Sequence, residues 1–238
     1  MGINMQCVLL DIEGTTSSVR FVYDVMFPYA RQHVGDYLQN HWDKPATQHA
    51  VSQMAHDAGY ADSANWFTAC SESPQKIVLD QFNHLMDQDV KATGLKMLQG
   101  LIWETAFHNG QIKAHVYDDV PHAMKHWHEQ GVTIHIYSSG SIPTQKLFFG
   151  HTVAGNLLPM ITGHYDTTVG PKRHVDSYRA ILSEISMPAD NVLFISDIVA
   201  ELDAAKLAGM QTALSMRPEN APVDEPHEHR VVRGFDEV

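Results

Sequence analysis

Two cysteines, Cys7 and Cys70, are all that 238 residues contain, too few for a disulfide framework. Stability must come from a packed core, and the scarcity fits a reducing compartment, with the cytosol the expected location. Positive charge is also short. Sixteen Lys and Arg stand against 28 Asp and Glu, a net charge of −12, which repels nucleic acid and anionic membranes and makes neither an expected partner. No apolar run approaches the roughly 18 residues that a spanning helix needs. The N-terminus lacks a basic stretch leading into a signal-like apolar core, so nothing is expected to anchor or export the chain. Internal repeats and low-complexity tracts are missing too. What remains is 44% apolar and 18% charged, the balance of one large domain or of a domain with an insertion.

Gln6 to Leu10 is a short, continuous apolar run that ends at Asp11, the pattern of a central strand in a parallel sheet covered on both faces. Similar runs at Val132–Tyr137, Met160–Thr162, Val192–Ile195 and Gln211–Leu214 alternate with helical patterns, which predicts α/β architecture. Val175, Tyr178, Leu182 and Ile185 mark one core-facing helix, and Ala200–Ala208, stopped by Gly209, marks another. The interval from about Ser18 to Tyr117 lacks such strands. It carries apolar stripes at helical spacing, as in Ser73–Met86 and Gly94–Thr105, and reads as an all-helical insertion able to serve as a lid. The expected division is therefore 1–17 with 118–238 as the core and 18–117 as the cap. The tail from Arg217 to Arg230 reads as surface loop. The 16 His residues, His227 and His229 included, show no compact ligand spacing and are expected to be solvated.

Four segments place polar groups just after an apolar strand, where ligands collect in open α/β sheets. In Asp11-Ile12-Glu13-Gly14-Thr15-Thr16, Asp11 is a competent nucleophile toward phosphorus once a cation neutralises the substrate, and Glu13 can protonate the leaving oxygen. Tyr137-Ser138-Ser139-Gly140-Ser141 offers hydroxyls and amides to phosphate oxygens. In Gly170-Pro171-Lys172, Lys172 supplies the local positive charge that an acidic protein needs. Ser196-Asp197, followed by Glu201, adds carboxylates; Asp197 meeting Asp11 would complete a magnesium site.

The ordered set resembles the four motifs of the haloacid dehalogenase superfamily of phosphotransferases. Asp11–Thr16, Phe27-Pro28-Tyr29-Ala30-Arg31, Leu98–Trp103, Tyr137–Ser141 with Gln145–Gly150, and Tyr165-Asp166-Thr167 with Gly170-Pro171-Lys172 look more specifically like the enolase-phosphatases of methionine salvage, the acireductone synthases. Glu13 departs from the superfamily's usual Asp but is shared by that family. Thr105-Ala106-Phe107 stands where the family pattern more often has Gly-Tyr.

The resemblance implies a Rossmann-like parallel-sheet core with a helical cap and one Mg²⁺ per chain. It implies a monomer acting on a small phosphate ester, 2,3-diketo-5-methylthiopentyl-1-phosphate, which is enolised and then dephosphorylated to the acireductone. Carried onto this chain, Asp11 is nucleophile and metal ligand. Glu13 gives its main-chain carbonyl to the metal and its side chain to acid–base work, and Asp197 completes the metal site. Ser138, Ser139 and Lys172 hold the phosphate. Glu13 is also the expected enolising base, with Mg²⁺ or Lys172 steadying the developing charge. The alternatives are a plain Mg²⁺-dependent phosphatase of the same fold and, from another class, a silent binding module.

Overall fold

The computed structural model describes residues 5–223 and 226–238, which form two compact units. The first comprises the N-terminal stretch through Val22 together with Lys113–Val238; the second is Tyr23–Ile112.

The first unit is built on a parallel sheet with strand order β3-β2-β1-β4-β5-β6. Its strands are β1 (Cys7–Leu10), β2 (Thr133–Tyr137), β3 (Gly163–Tyr165), β4 (Val192–Ser196), β5 (Gln211–Ser215) and β6 (Arg230–Val232). All four residues of β1 are fully buried, because the strand lies between β2 and β4, with Cys7 opposite both Thr133 and Val192. Continuous apolarity in β1 and β4 is what burial on two faces requires. The aromatic rings of Tyr137, Tyr178 and Phe194 fill one face beside Leu9, Ile181 and Leu202. Residues 113–117 belong with this unit through main-chain bonds from Ala114 to His151 (2.8 Å) and from Tyr117 to Thr16 (3.1 Å). Four of the unit's helices connect or follow its strands: α6 (Asp119–Glu129), α7 (Ile142–Gly150), α8 (Val175–Ile185) and α9 (Val199–Leu207).

The second unit is all helical among the described residues, with α1 (Phe27–His41), α2 (Pro45–Asp57), α3 (Ser63–Thr68), α4 (Pro74–Asp87) and α5 (Thr93–His108). The local sequence explains the boundaries. Ser73 caps α4 by accepting from the Lys76 amide, Pro74 occupies the first turn where its missing N–H costs nothing, and Asp62 caps α3 through the Asn65 amide. Its core includes Leu38, Met54, Phe82, Leu98, Ile102 and Phe107, and the buried Trp103 indole donates to the Met26 carbonyl (2.8 Å).

Two expectations need correction. The strand expected at Met160–Thr162 is instead a 3₁₀ turn at Leu158–Met160 followed by β3 at Gly163–Tyr165. Pro159 fixes φ and lacks an amide proton, which favours the turn; pairing to β2 begins only when the Thr162 amide reaches the Ile134 carbonyl (2.7 Å). The tail is not simply surface loop either. Arg217 and His229 are buried, and β6 extends the sheet directly after it. His229 sits between Thr212 (2.8 Å) and Asp203 (3.1 Å), so it is held by partners and not by solvent.

Candidate active site

Because the sheet is parallel, the residues that follow β1, β2 and β4 emerge on one edge: Asp11, Ser138 and Asp197. The loop after β1 turns back on itself at once. The amides of Thr15, Thr16 and Ser17 all point to the Ile12 carbonyl (3.2, 3.0 and 2.9 Å), and the Thr16 hydroxyl bonds to the Asp11 and Ile12 carbonyls. Asp11 accepts the Ile12 amide on Oδ1 (2.8 Å) and is 5% exposed. Its carboxylate is therefore fixed by its own loop before any substrate arrives.

Lys172 organises the centre. Its Nζ lies 2.7 Å from Asp11 Oδ2 and 2.7 Å from Glu201 Oε2, and all three side chains are nearly buried. Ser196 ties the same two carboxylates together, donating toward Asp11 Oδ2 (3.2 Å) and Glu201 Oε2 (3.0 Å). Burial alone would lower the lysine's pKa, but Asp11 and Glu201 reverse that and hold the ammonium charged well above its ordinary range. Glu201 is pushed up by burial and by Asp11, against the pull of Lys172. Asp197 is pushed up to about 7 by burial, then by Asp11 and Glu201, with Lys172 opposing. One ammonium thus pairs with two carboxylates and has a third, Asp197, within electrostatic reach, a site short of positive charge.

Gly14 is what admits Asp197. It adopts φ +67°, and a Cβ there would lie 2.3 Å from Asp197 Oδ2. A left-handed backbone and a missing side chain are both required at this residue. Its carbonyl accepts from Ser215 Oγ (3.0 Å) and Asn220 Nδ2 (2.9 Å), and the Thr15 carbonyl accepts from Arg217 Nε (3.1 Å). Arg217 also makes a two-pronged pair with Asp119 (2.9 and 2.9 Å), between the rings of Tyr117 and Phe235. Ser18 hydrogen-bonds Glu219 through its hydroxyl, and its amide donates to His115 Nδ1 (3.1 Å). Ser215 and the segment after β5 therefore brace the loop that follows β1 at Gly14, Thr15 and Ser18.

Ser138 is buried at the end of β2, its amide bonded to the Tyr165 carbonyl (3.2 Å) and its hydroxyl accepting the Gly140 amide (3.2 Å). Ser139 is partly exposed beside it. Gln145 secures the turn by donating to the Gly140 and Tyr165 carbonyls (2.8 Å each). Asp166 joins it to the segment that carries Lys172, accepting from the Ile142 amide (3.1 Å) and the Thr168 amide (2.9 Å).

The structure brings Asp11 and Lys172 into contact and places Asp197 against the same loop. Glu13 is partly buried, with its main chain bridged to Ser17 in the same turn. Sequence reasoning named Glu201 without a role, and its second bond to Lys172 supplies one. Arg217, Asn220 and Ser215 were missed altogether. Only the Asn220 and Arg217 side chains in a nominal loop hinted at them, since polar loop residues look alike until a partner is seen.

A haloacid dehalogenase-like hydrolase family model matches residues 5–209. An enolase-phosphatase E1 from Drosophila mojavensis is 41% identical over 225 residues, covering 94% of this chain and 90% of that protein. This chain belongs to the enolase-phosphatase E1 family. The crystal structure of the UTR4 protein from Saccharomyces cerevisiae superposes with a TM-score of 0.82 at 32% identity, covering 98% of this chain and 100% of that one. The hydrolase YfnB from Bacillus subtilis, solved bound to magnesium, shares the fold with a TM-score of 0.58 at 15% identity, covering 98% of this chain and 96% of its own. In this chain Asp11, Ser138 and Asp197 follow strands on one sheet edge, and Lys172 reaches Asp11 there.

The donor set suits magnesium. Three carboxylates and one ammonium leave net negative charge where a dianionic phosphate must bind. A buried amide oxygen, Asn220 Oδ1, also lacks a partner among the described residues. Among the described residues no three His, Cys, Asp or Glu side chains close on one point. Mg²⁺ needs no such cage, since it takes one or two carboxylates and keeps several waters.

Proposed function

We propose that this chain is a bifunctional enolase and phosphatase that converts 2,3-diketo-5-methylthiopentyl-1-phosphate to 1,2-dihydroxy-3-keto-5-methylthiopentene, an acireductone, and phosphate in L-methionine salvage. The observation that carries this is the buried Asp11 carboxylate, fixed by the Ile12 amide and by Lys172 at 2.7 Å, in a chain of this family. A monomer with one Mg²⁺, working in the cytoplasm, is part of the same proposal.

Asp11, the Glu13 main-chain carbonyl and Asp197 would hold the cation, which supplies the positive charge that lets a phosphate dianion approach three carboxylates. Glu13 removes a proton from the carbon between the carbonyl and the phosphate ester and keeps it, while the enolate oxygen takes a proton from solvent to give the enol. Asp11 then attacks phosphorus. The bond to the ester oxygen breaks as Glu13 returns a proton to it, and an aspartyl phosphate is left. Water hydrolyses that acyl phosphate, with Glu13 accepting its proton and releasing it to solvent, and Asp11 and Glu13 are regenerated. Lys172 carries three donors, two of which are committed to Asp11 and Glu201; the third, with Ser138 and Ser139, serves the phosphate oxygens.

Anaerobic incubation with the diketone phosphate, following enol absorbance and phosphate together, tests the proposal. An enol signal that precedes phosphate is expected, with both lost in Glu13→Gln and hydrolysis lost in Asp11→Asn. Phosphate release with no preceding enol would leave a plain phosphatase, and normal enol formation in Glu13→Gln would remove Glu13 as the base.

A further inference from the structure

Asn220 presents its two ends to different surroundings. Its Nδ2 donates to the Gly14 carbonyl (2.9 Å) and the Ser215 carbonyl (3.0 Å), so both amide protons are used. That fixes which end faces the site, because two carbonyls accept only from the nitrogen end. The oxygen end is buried and has no partner among the described residues. It lies 2.9 Å from the point where a Gly14 Cβ would stand, and Asp197 Oδ2 lies 2.3 Å from that same point. Asp197 Oδ2 and Asn220 Oδ1 therefore both lie against the same side of Gly14. A buried oxygen without a donor has given up its hydrogen bonds to water for nothing, so such an atom calls for a donor that enters with a ligand.

We propose that Asn220 is a positioning residue of the cation site, its Oδ1 accepting a hydrogen bond from a water molecule bound to the Mg²⁺ that Asp197 and Asp11 hold. The inference rests on the magnesium reading above and extends it to the segment after β5. A hydrated hard cation held by Asp197 offers what Asn220 Oδ1 lacks, since its bound waters are donors. An outer partner of this kind orients the water and, through it, the cation. The same Asn220 side chain grips the Gly14 carbonyl, so cation and nucleophile loop share one brace.

Ser215 supplies the control. It also donates to the Gly14 carbonyl (3.0 Å), but it offers no oxygen of this kind to the cation. Calorimetric titration with MgCl₂ and thermal melts without metal, on wild type, Asn220→Ala and Ser215→Ala, separate the two roles. Both variants are expected to lose similar thermal stability. Only Asn220→Ala should weaken Mg²⁺ binding, by about tenfold, the lower end for loss of an outer partner. Asn220→Ser, with a donor on a shorter stem, replaces it in the same comparison if the alanine variant folds poorly. Equal effects on Mg²⁺ affinity from both variants, or no effect from either, would overturn the proposal in favour of a purely structural asparagine. Failure of wild type itself to bind Mg²⁺ would overturn the magnesium reading and this inference together.

Discussion

Gly14→Ala tests the site's geometry with one methyl group. Gly14 has φ +67°, and an alanine in the left-handed region costs about 1–2 kcal/mol wherever it occurs. Here the Cβ also meets Asp197 Oδ2 at 2.3 Å, Asp197 Cγ at 2.5 Å and Asn220 Oδ1 at 2.9 Å. Restoring ordinary van der Waals separation moves the Asp197 carboxylate by about 1 Å, and a displacement of that size at a reacting centre costs about a hundredfold in rate. Gly110 is the matched control, with φ +69° and nothing within 4 Å of its Cβ position. Gly110→Ala should show the backbone strain alone, a fall in melting temperature of about 2–4 °C per kcal/mol at this chain length, with normal phosphate release. Gly14→Ala should show a similar or larger fall together with about a hundredfold loss in kcat/KM and weakened Mg²⁺ binding. If it hydrolyses substrate and binds Mg²⁺ as wild type does, Asp197 does not work from beside Gly14, and the assembly of the site around that turn is refuted.

Lys172→Met leaves the Asp11 and Glu201 carboxylates buried without their cation, and should cost about 3 kcal/mol or more in urea unfolding while abolishing hydrolysis. Adding Glu201→Gln should recover part of that stability and none of the activity; a double variant no more stable than the single would contradict the shared ion pair. His164 is held neutral, its pKa lowered to about 4 by burial, then by Lys146 and His135. Between about pH 6.5 and 4 the unfolded chain binds the proton more readily than the folded one, so stability falls as pH falls through that window. With allowance for partial exposure the loss is about 1 kcal/mol. His164→Gln should flatten the fall in urea midpoint between pH 7 and 4.5 by that amount, and superimposable pH profiles would show that the histidine is not responsible.

The sheet was legible because parallel strands buried on two faces must be continuously apolar. Cys7–Leu10 and Val192–Ile195 carry that pattern and are strands, and Asp11 and Asp197 lie just beyond their ends. The helices at 74–87 and 93–108 announced themselves through apolar spacing and, for the first, the Ser73 cap and Pro74. What escaped was set by partners far away in sequence. Nothing local marks Arg217 as buried: its burial comes from Asp119, the Thr15 carbonyl and two aromatic rings. Asn220 is likewise an ordinary turn residue until its contact with Gly14 is seen. The strand near Pro159 was misplaced because apolar runs of three residues carry no period, and the proline's turn preference decided the matter.

The central position of β1 also governs how the chain comes to be folded. Its partners are residues 133–136 and 192–195, so the strand that leads into Asp11 makes no sheet contact until most of the polypeptide exists. Tyr23–Ile112, with its short-range helical contacts, leaves the ribosome earlier and can condense first. Throughout that interval the apolar run ending at Asp11 stands exposed. The strand that is most completely buried in the finished enzyme is therefore the segment most in need of protection from aggregation while the protein is being made.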